Sequence, residues 1–210
     1  MTRRPRQARS IASMERMLDA AESLFAAGGA QAVTVEAVVR EAGTSVGAFY
    51  ARFEDRAGLL VAMHDRFLDR MGAVAAAAVA ASVQQSTLEG AVAEFVRLAL
   101  AAVRTYRESI LFFVAVSATD TPLRRQGLAA NPGFAAAFAA VVMPHLLARG
   151  HAHPEQGADM AFRMLFALFV QRAMFTPREA TGRAMSDRVY AAEIVRALVA
   201  YLERSATPDR

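Results

Sequence analysis

Ile11, Met14, Leu18, Ala21 and Phe25 recur at steps of three and four, which predicts one face of an amphipathic helix. Ser10 is placed to cap its start, and Gly28-Gly29 to end it by supplying left-handed backbone geometry. A second, short helix follows Thr34 and offers Val35, Val38, Val39 and Ala42 for burial, and Gly43 ends it in the same way. Ser45 then caps a third helix, on which Val46, Phe49 and Phe53 share a face at i, i+3 and i+7. From Asp55 a fourth helix runs through Leu60, Met63, Phe67 and Met71.

Further along, the pattern predicts helices near Thr87–Tyr106, Ser109–Ser117, Gly133–Leu147, Pro154–Phe175 and Ser186–Arg204. Breakers separate them: Asp120-Thr121-Pro122, Asn131-Pro132-Gly133, "ARGHAHPEQG" and "TPREATG". No alternating strand pattern persists anywhere. The expected fold is all-α with about nine helices: an N-terminal three-helix unit followed by a larger helical domain.

The stretch "EAGTSVGAFYARFED" interrupts this helical background. Two short helices joined by a tight Gly43-Thr44-Ser45 turn form a helix-turn-helix. With Val46, Phe49 and Phe53 turned inward, Gly47, Ala48, Ala51 and Arg52 face out. Small outward residues let a helix end sit deep in a DNA major groove. The hydroxyls and backbone N–H groups at the helix starts, Thr34 and Ser45, suit phosphate oxygens, because helix N-termini attract anions. Tyr50 and Arg52 can hydrogen-bond the DNA backbone or base edges. The same turn also occurs in bundles that only pack, with the tyrosine half-buried.

Composition adds little beyond this. The 210 residues contain no cysteine, so disulfides and thiolate metal sites are excluded, in keeping with a reducing cytoplasm. The formal charge of +4 is modest, but "MTRRPRQAR" concentrates Arg3, Arg4, Arg6 and Arg9 without an acid. That segment reads either as a solvated tail or as a basic arm for DNA. No secretion signal is evident, because Ser10, Ser13 and Glu15 follow the basic start. The two long uncharged stretches, around the alanine run at 75–81 and around Asn131-Pro132-Gly133, are too alanine-rich or too interrupted to read as membrane spans.

At this point a resemblance becomes specific. The run "TVEAVVREAGTSVGAFYARFEDRAGLL", preceded by a helix ending "LFAAGG", resembles the DNA-binding domain of the TetR family of transcriptional regulators. Thr34, Ala42-Gly43, Ser45, Gly47, Tyr50, Phe53, Arg56 and Leu59-Leu60 match the family pattern, from about Ser10 to Met71. Thr44 and Val39 depart from it, standing where an apolar residue and alanine are usual, and Thr44 becomes a candidate to reach DNA. The candidate DNA contacts are therefore Arg3, Arg4, Arg6, Arg9, Thr34, Thr44, Ser45, Val46, Gly47, Ala48, Tyr50, Arg52 and Arg56, with Arg52 the best direct base reader. The resemblance implies a basic arm over residues 1–9, a DNA-binding domain over 10–55 and a ligand-binding and dimerisation domain over 56–210. It further implies a cytoplasmic homodimeric regulator, read here as a repressor. Its recognition helices would enter successive major grooves about 34 Å apart, and a small effector would release the DNA.

Met63, Phe67, Phe95, Phe112, Phe113, Val116, Phe134, Phe138, Met143, Phe162 and Phe166 exceed what alanine-rich helices need for packing, and form the candidate effector set. Few charges interrupt them, Arg97 and Arg163 being nearest, so the expected effector is mainly hydrophobic, neutral or with one anionic end. Each of these residues taken singly also reads as plain core. The eighth helix, "ADMAFRMLFALFVQRAMF", is apolar nearly all round, and the ninth carries an apolar stripe. A two-fold dimer built as a four-helix bundle would cover both, with Leu165, Phe169, Val170, Met174, Val195 and Val199 at its interface.

An enzyme fits poorly: without cysteine, bases would come from His64, His145, His151 or His153, and no phosphate loop or His-Glu helix pair is present. "GHAHPE" offers an H-x-H, but in a Gly/Pro loop it reads as solvated, so no metal or cofactor is expected. His64 reads as a packed, hydrogen-bonded core histidine. The remaining alternative is a helical membrane-surface or protein-interaction module without sequence-specific DNA binding. Glu15, Asp19 and Glu22 on the first helix weigh against an anionic lipid surface.

Overall fold

The computed structural model describes residues 4–117 and 121–204, without the side chains of residues 4–9 and 117. Among them are nine helices and no strand: α1 Arg4–Ala32, α2 Val35–Glu41, α3 Val46–Phe53, α4 Arg56–Ser82, α5 Leu88–Thr105, α6 Arg107–Ser117, α7 Thr121–Ala148, α8 Pro154–Met174 and α9 Asp187–Arg204. The all-α reading holds. The starts of α2, α3, α4 and α5 carry side-chain caps. Thr34, Ser45, Asp55 and Thr87 accept through their side chains from Ala37, Ala48, Gly58 and Gly90 N–H respectively, each such cap contributing about 1 kcal/mol.

Three local expectations are corrected. The first helix starts at Arg4, so Ser10 lies inside it instead of capping it, and Ile11 is exposed while the unpredicted Met17 is fully buried. The backbone does break at Gly28-Gly29, where Gly29 has φ +67°. Asn131-Pro132-Gly133 does not end a helix, since α7 runs through it and through Pro144. Each proline removes one helical bond, leaving the carbonyls of Leu128 and Ala140 without their usual donor. Both residues lie on the exposed side, so neither carbonyl is sealed in the core.

Two apolar clusters hold the molecule. One joins α1, α2 and α3 to the start of α4 around Met17, Val33, Val38, Phe49, Phe53, Leu59 and Met63, with Phe113 of α6 and Leu123 of α7 closing it. The other packs α5, α7, α8 and α9 around Leu88, Val92, Phe138, Val142, Leu165, Leu198 and Leu202. α4 belongs to both, contributing Leu59, Leu60 and Met63 to the first and Ala78 to the second.

α1 is further tied to α4 by charge. Arg66 meets Asp19 at 2.5 Å, with Glu15 and Glu22 at 3.6 and 3.7 Å, and Arg70 meets Glu22 at 3.0 Å. Desolvation opposes the charge on Arg66, but the hydrogen bond to Asp19 and the neighbouring carboxylates outweigh it and raise its pKa. At the other end, Tyr190 of α9 donates to the Leu168 carbonyl and to Gln171 Oε1 of α8, beneath an Arg172–Asp187 ion pair.

α7 alone among the described helices is long and apolar enough to cross a membrane by length and composition. Here its Leu123, Phe138, Val141, Val142 and Leu146 are buried in the protein core.

Candidate nucleic-acid interface and ligand cavity

α2 ends at Glu41 with Ala42 as its cap residue, and Gly43 takes φ +59°, the left-handed turn that places Ser45 as the cap of α3. On α3 only Phe49 and Phe53 are buried. Val46, expected to join them, is 47% exposed, and Tyr50 is 51% exposed. The outer face of α3 is therefore Val46, Gly47, Tyr50 and Ala51, with Ala48 half-buried at its edge. A Cβ on Gly47 would meet nothing within 4 Å, so this face is low and open, as insertion into a groove requires. The Thr34 and Ser45 hydroxyls accept the capping N–H bonds and keep their own hydrogens to donate to phosphate.

The other candidates are held differently. Arg52 turns back along α3, donating to the Ala48 carbonyl at 2.7 Å and, on α1, to the Ser10 carbonyl and Oγ at 3.3 Å each. Arg56 donates to the Val33 and Ala30 carbonyls at 2.7 and 2.6 Å, tying α4 to the segment between α1 and α2. The Thr44 hydroxyl is buried and has no partner among the described residues. Arg3 and the side chains of Arg4, Arg6 and Arg9 lie outside the described residues. Arg40, exposed on the last turn of α2 and without a partner among the described residues, was not singled out from the sequence. Its position opposite Val38 and Val39 was the available signal.

A close backbone approach fixes α3 against α4. A Cβ on Gly58 would fall 1.9 Å from the Phe53 carbonyl oxygen, so only glycine fits there.

Behind this unit lies a cavity of about 410 Å³ among α4, α5, α6, α7 and α8, within the usual small-molecule range. Phe67, Phe95, Phe113, Phe134, Phe162 and Phe166 line it, joined by Leu68, Met71, Ile110, Leu165, Phe169 and Val170. Met63, Phe112 and Val116 instead sit in or against the N-terminal cluster, Phe138 is fully buried core, and Met143 borders a separate shallow pocket. Arg97 and Arg163 do not reach the cavity, being exposed and bonded to Glu94 and Asp159. Its polar lining comes from His64, Arg124 and Asn131. His64 is buried as expected and contacts Gln126 Oε1 through Nδ1 at 3.0 Å. Since Gln126 gives its Nε2 to Asp65 at 2.7 Å, its oxygen faces the ring, and His64 Nδ1 is the donor.

Of the residues assigned to a dimer interface, Met174 is exposed, while Leu165 and Val195 are buried within the protomer. Phe169 and Val170 line the cavity, and Val199 packs half-buried against the core. The exposed apolar side chains of α8 and α9 are Met160, Phe166, Met174 and Val189. In the α7–α8 connection His151 is buried, not solvated. Its Nδ1 accepts from the His153 N–H, its Nε2 lacks a partner, and Gly157 leaves room for the ring. Among the described residues no group of histidines and carboxylates is arranged to hold a metal.

Residues 17–63 match the family model "Bacterial regulatory proteins, tetR family". No curated protein matches the chain in sequence. Among solved structures it is similar to one from Mesorhizobium loti described as a putative TetR-family transcriptional regulator, at 19% identity and TM-score 0.72, covering 93% of this chain and 98% of that one. It is also similar to one from Pseudomonas aeruginosa described as a putative transcriptional regulator, at 15% identity and TM-score 0.66, covering 94% and 90%. A third is the fatty acid degradation regulator FadR of Bacillus halodurans, at 13% identity and TM-score 0.56, covering 93% and 99%. At these identities the likeness is one of fold. Residues 17–63, which enclose the helix-turn-helix, thus match the DNA-binding domain of TetR-family regulators, and the chain as a whole shares the fold of solved structures described as such regulators.

Proposed function

We propose that the protein is a cytoplasmic, ligand-released repressor that binds a palindromic operator as a homodimer, with residues 10–55 reading DNA and residues 56–210 sensing and dimerising. The observation that carries this reading is α4. Its first turn is packed against α3 at Gly58, and its middle, from His64 to Ala78, lines the cavity. An effector with unequal affinity for two tilts of α4 thereby shifts the population of DNA-competent dimers. The lining, almost wholly aromatic and aliphatic, favours a mainly hydrophobic effector over a sugar, nucleotide or metal. The structural likeness to a regulator of fatty acid degradation agrees with an apolar effector.

Contact with DNA is assigned to Thr34, Ser45, Val46, Gly47, Tyr50 and the basic arm, with Arg40 added. The outer faces of α8 and α9, with Met160, Met174 and Val189, are assigned to the dimer. Selection of bound sequences from random duplex DNA tests this reading: an enriched inverted repeat supports it, and no enrichment overturns it. Titrating apolar and polar compound sets against the protein–operator complex tests the effector class, and release by polar compounds alone refutes the apolar assignment.

A further inference from the structure

The cavity has a closed end and an open end. Phe95, Phe113 and Leu165 at its inner end are no more than 6% exposed. Val114 of α6, Leu128 of α7 and Phe166 of α8 also line it, yet are 42%, 57% and 43% exposed, so the cavity reaches the surface between these three helices. Arg124 stands at that mouth. It is exposed and precedes Leu128 by four residues and Asn131 by seven, a spacing that puts all three on one face of α7.

The charge of the lining has one sign. Among the described residues no aspartate or glutamate lines the cavity, and Arg124 is its one permanently charged residue. Whereas Arg97 and Arg163 are bonded to neighbouring carboxylates, Arg124 has no partner among the described residues. A guanidinium offers a planar fork of donors matched to a carboxylate, and at a cavity mouth it binds one without requiring the charge to leave water completely.

Resting on the effector-site reading above, we propose that the cavity takes an aliphatic carboxylate, tail first between α6, α7 and α8, with its carboxylate held by Arg124. A single cation suits a monoanion, and the absence of any acid among the described lining residues disfavours a cationic amphiphile. The apolar walls supply most of the affinity, and Arg124 supplies the choice of headgroup.

The experiment is calorimetric titration of the full chain and of Arg124→Gln with decanoate, decanol and decyltrimethylammonium below their aggregation concentrations. Arg124 is exposed and has no partner among the described residues, so the variant should melt with the parent. The parent should bind decanoate at least about tenfold more tightly than decanol, and the ammonium compound most weakly. In Arg124→Gln the two dissociation constants should converge, with that of decanol unchanged. A parent that binds decanol as tightly as decanoate overturns the headgroup assignment and leaves the apolar cavity standing. An Arg124→Gln variant that keeps its preference for decanoate overturns it equally. If neither compound binds the parent, the effector-site reading falls, and this proposal with it.

Discussion

Arg56, at the first position of α4, donates to the carbonyl of Val33 at 2.7 Å, across 23 positions of sequence. With its second bond to Ala30 it ties α4 to backbone acceptors at the junction where α1 ends and α2 has not yet begun. Arg56→Ala should therefore lower stability by about 1–3 kcal/mol, as expected when a part-buried acceptor loses a charged donor. Thermal melting of the free protein reads this loss directly. A variant that melts with the parent but binds DNA weakly would return Arg56 to the DNA-contacting set.

Tyr50→Phe should do the opposite. Its ring packs edge-on against Phe49 at 5.5 Å and keeps that contact, while the exposed hydroxyl is lost. Melting should be unchanged, and affinity should fall by a similar factor on every operator variant, because a phosphate contact positions without reading. Gel-shift titrations against a panel of single-base variants decide it. A loss confined to one base position would make Tyr50 a base reader.

Arg52→Ala separates the sequence expectation from the geometry. A base-reading arginine would relax preference at one position per half-site, at about 1–3 kcal/mol. An arginine bonded to Ser10 and Ala48 instead pins α1 to α3, so its removal should weaken all operators together. Relaxation at a single position in the same panel would show that the guanidinium swings from Ser10 to a base on binding.

Gly58→Ala should be the most damaging small change in the N-terminal unit. The added methyl would meet Phe53 backbone at 1.9 Å and force α3 away from α4, costing about 3 kcal/mol or more. Circular dichroism melting reads it, and a shift within error of the parent would show that the junction opens freely.

Assembly is tested by sedimentation at micromolar concentration. The expected species has twice the 22.6 kDa chain mass, and charged substitutions at Met160 and Val189 should return it to one. A dimer indifferent to both would move the interface off the outer faces of α8 and α9.

The helix-turn-helix was legible because its signals are local. Thr34, Ser45 and Asp55 cap the residues three positions on, and Gly43 adopts the turn that its lack of a Cβ permits. Val46 misled because it lies only about 60° from Phe49 and about 20° from Phe53 around the helix, yet as the first residue of α3 it stands at the helix end and is 47% exposed. α7 misled because packing of Phe138, Val141 and Leu146 overrides the breaker signal at Asn131-Pro132-Gly133. Nor could sequence show which arginine borders the cavity, since Arg97, Arg124 and Arg163 all lie on helices beside aromatic residues. Only the packing of distant helices distinguishes Arg124. Gly58 was silent for the same reason: its requirement for glycine arises from the return of α4 onto Phe53.

The length of α4 has a mechanical consequence. Its 27 residues form a rod about 40 Å long, gripped at one end by α3 and walled in by the cavity along its middle. Such a rod amplifies: a tilt of about 5° about one end carries the other through about 3.5 Å, roughly one base-pair step along the duplex. A displacement of that size takes a recognition helix from registered to misregistered with its groove. On the ligand-release reading proposed above, the aromatic walls beside the middle of α4 need yield by only a fraction of that displacement.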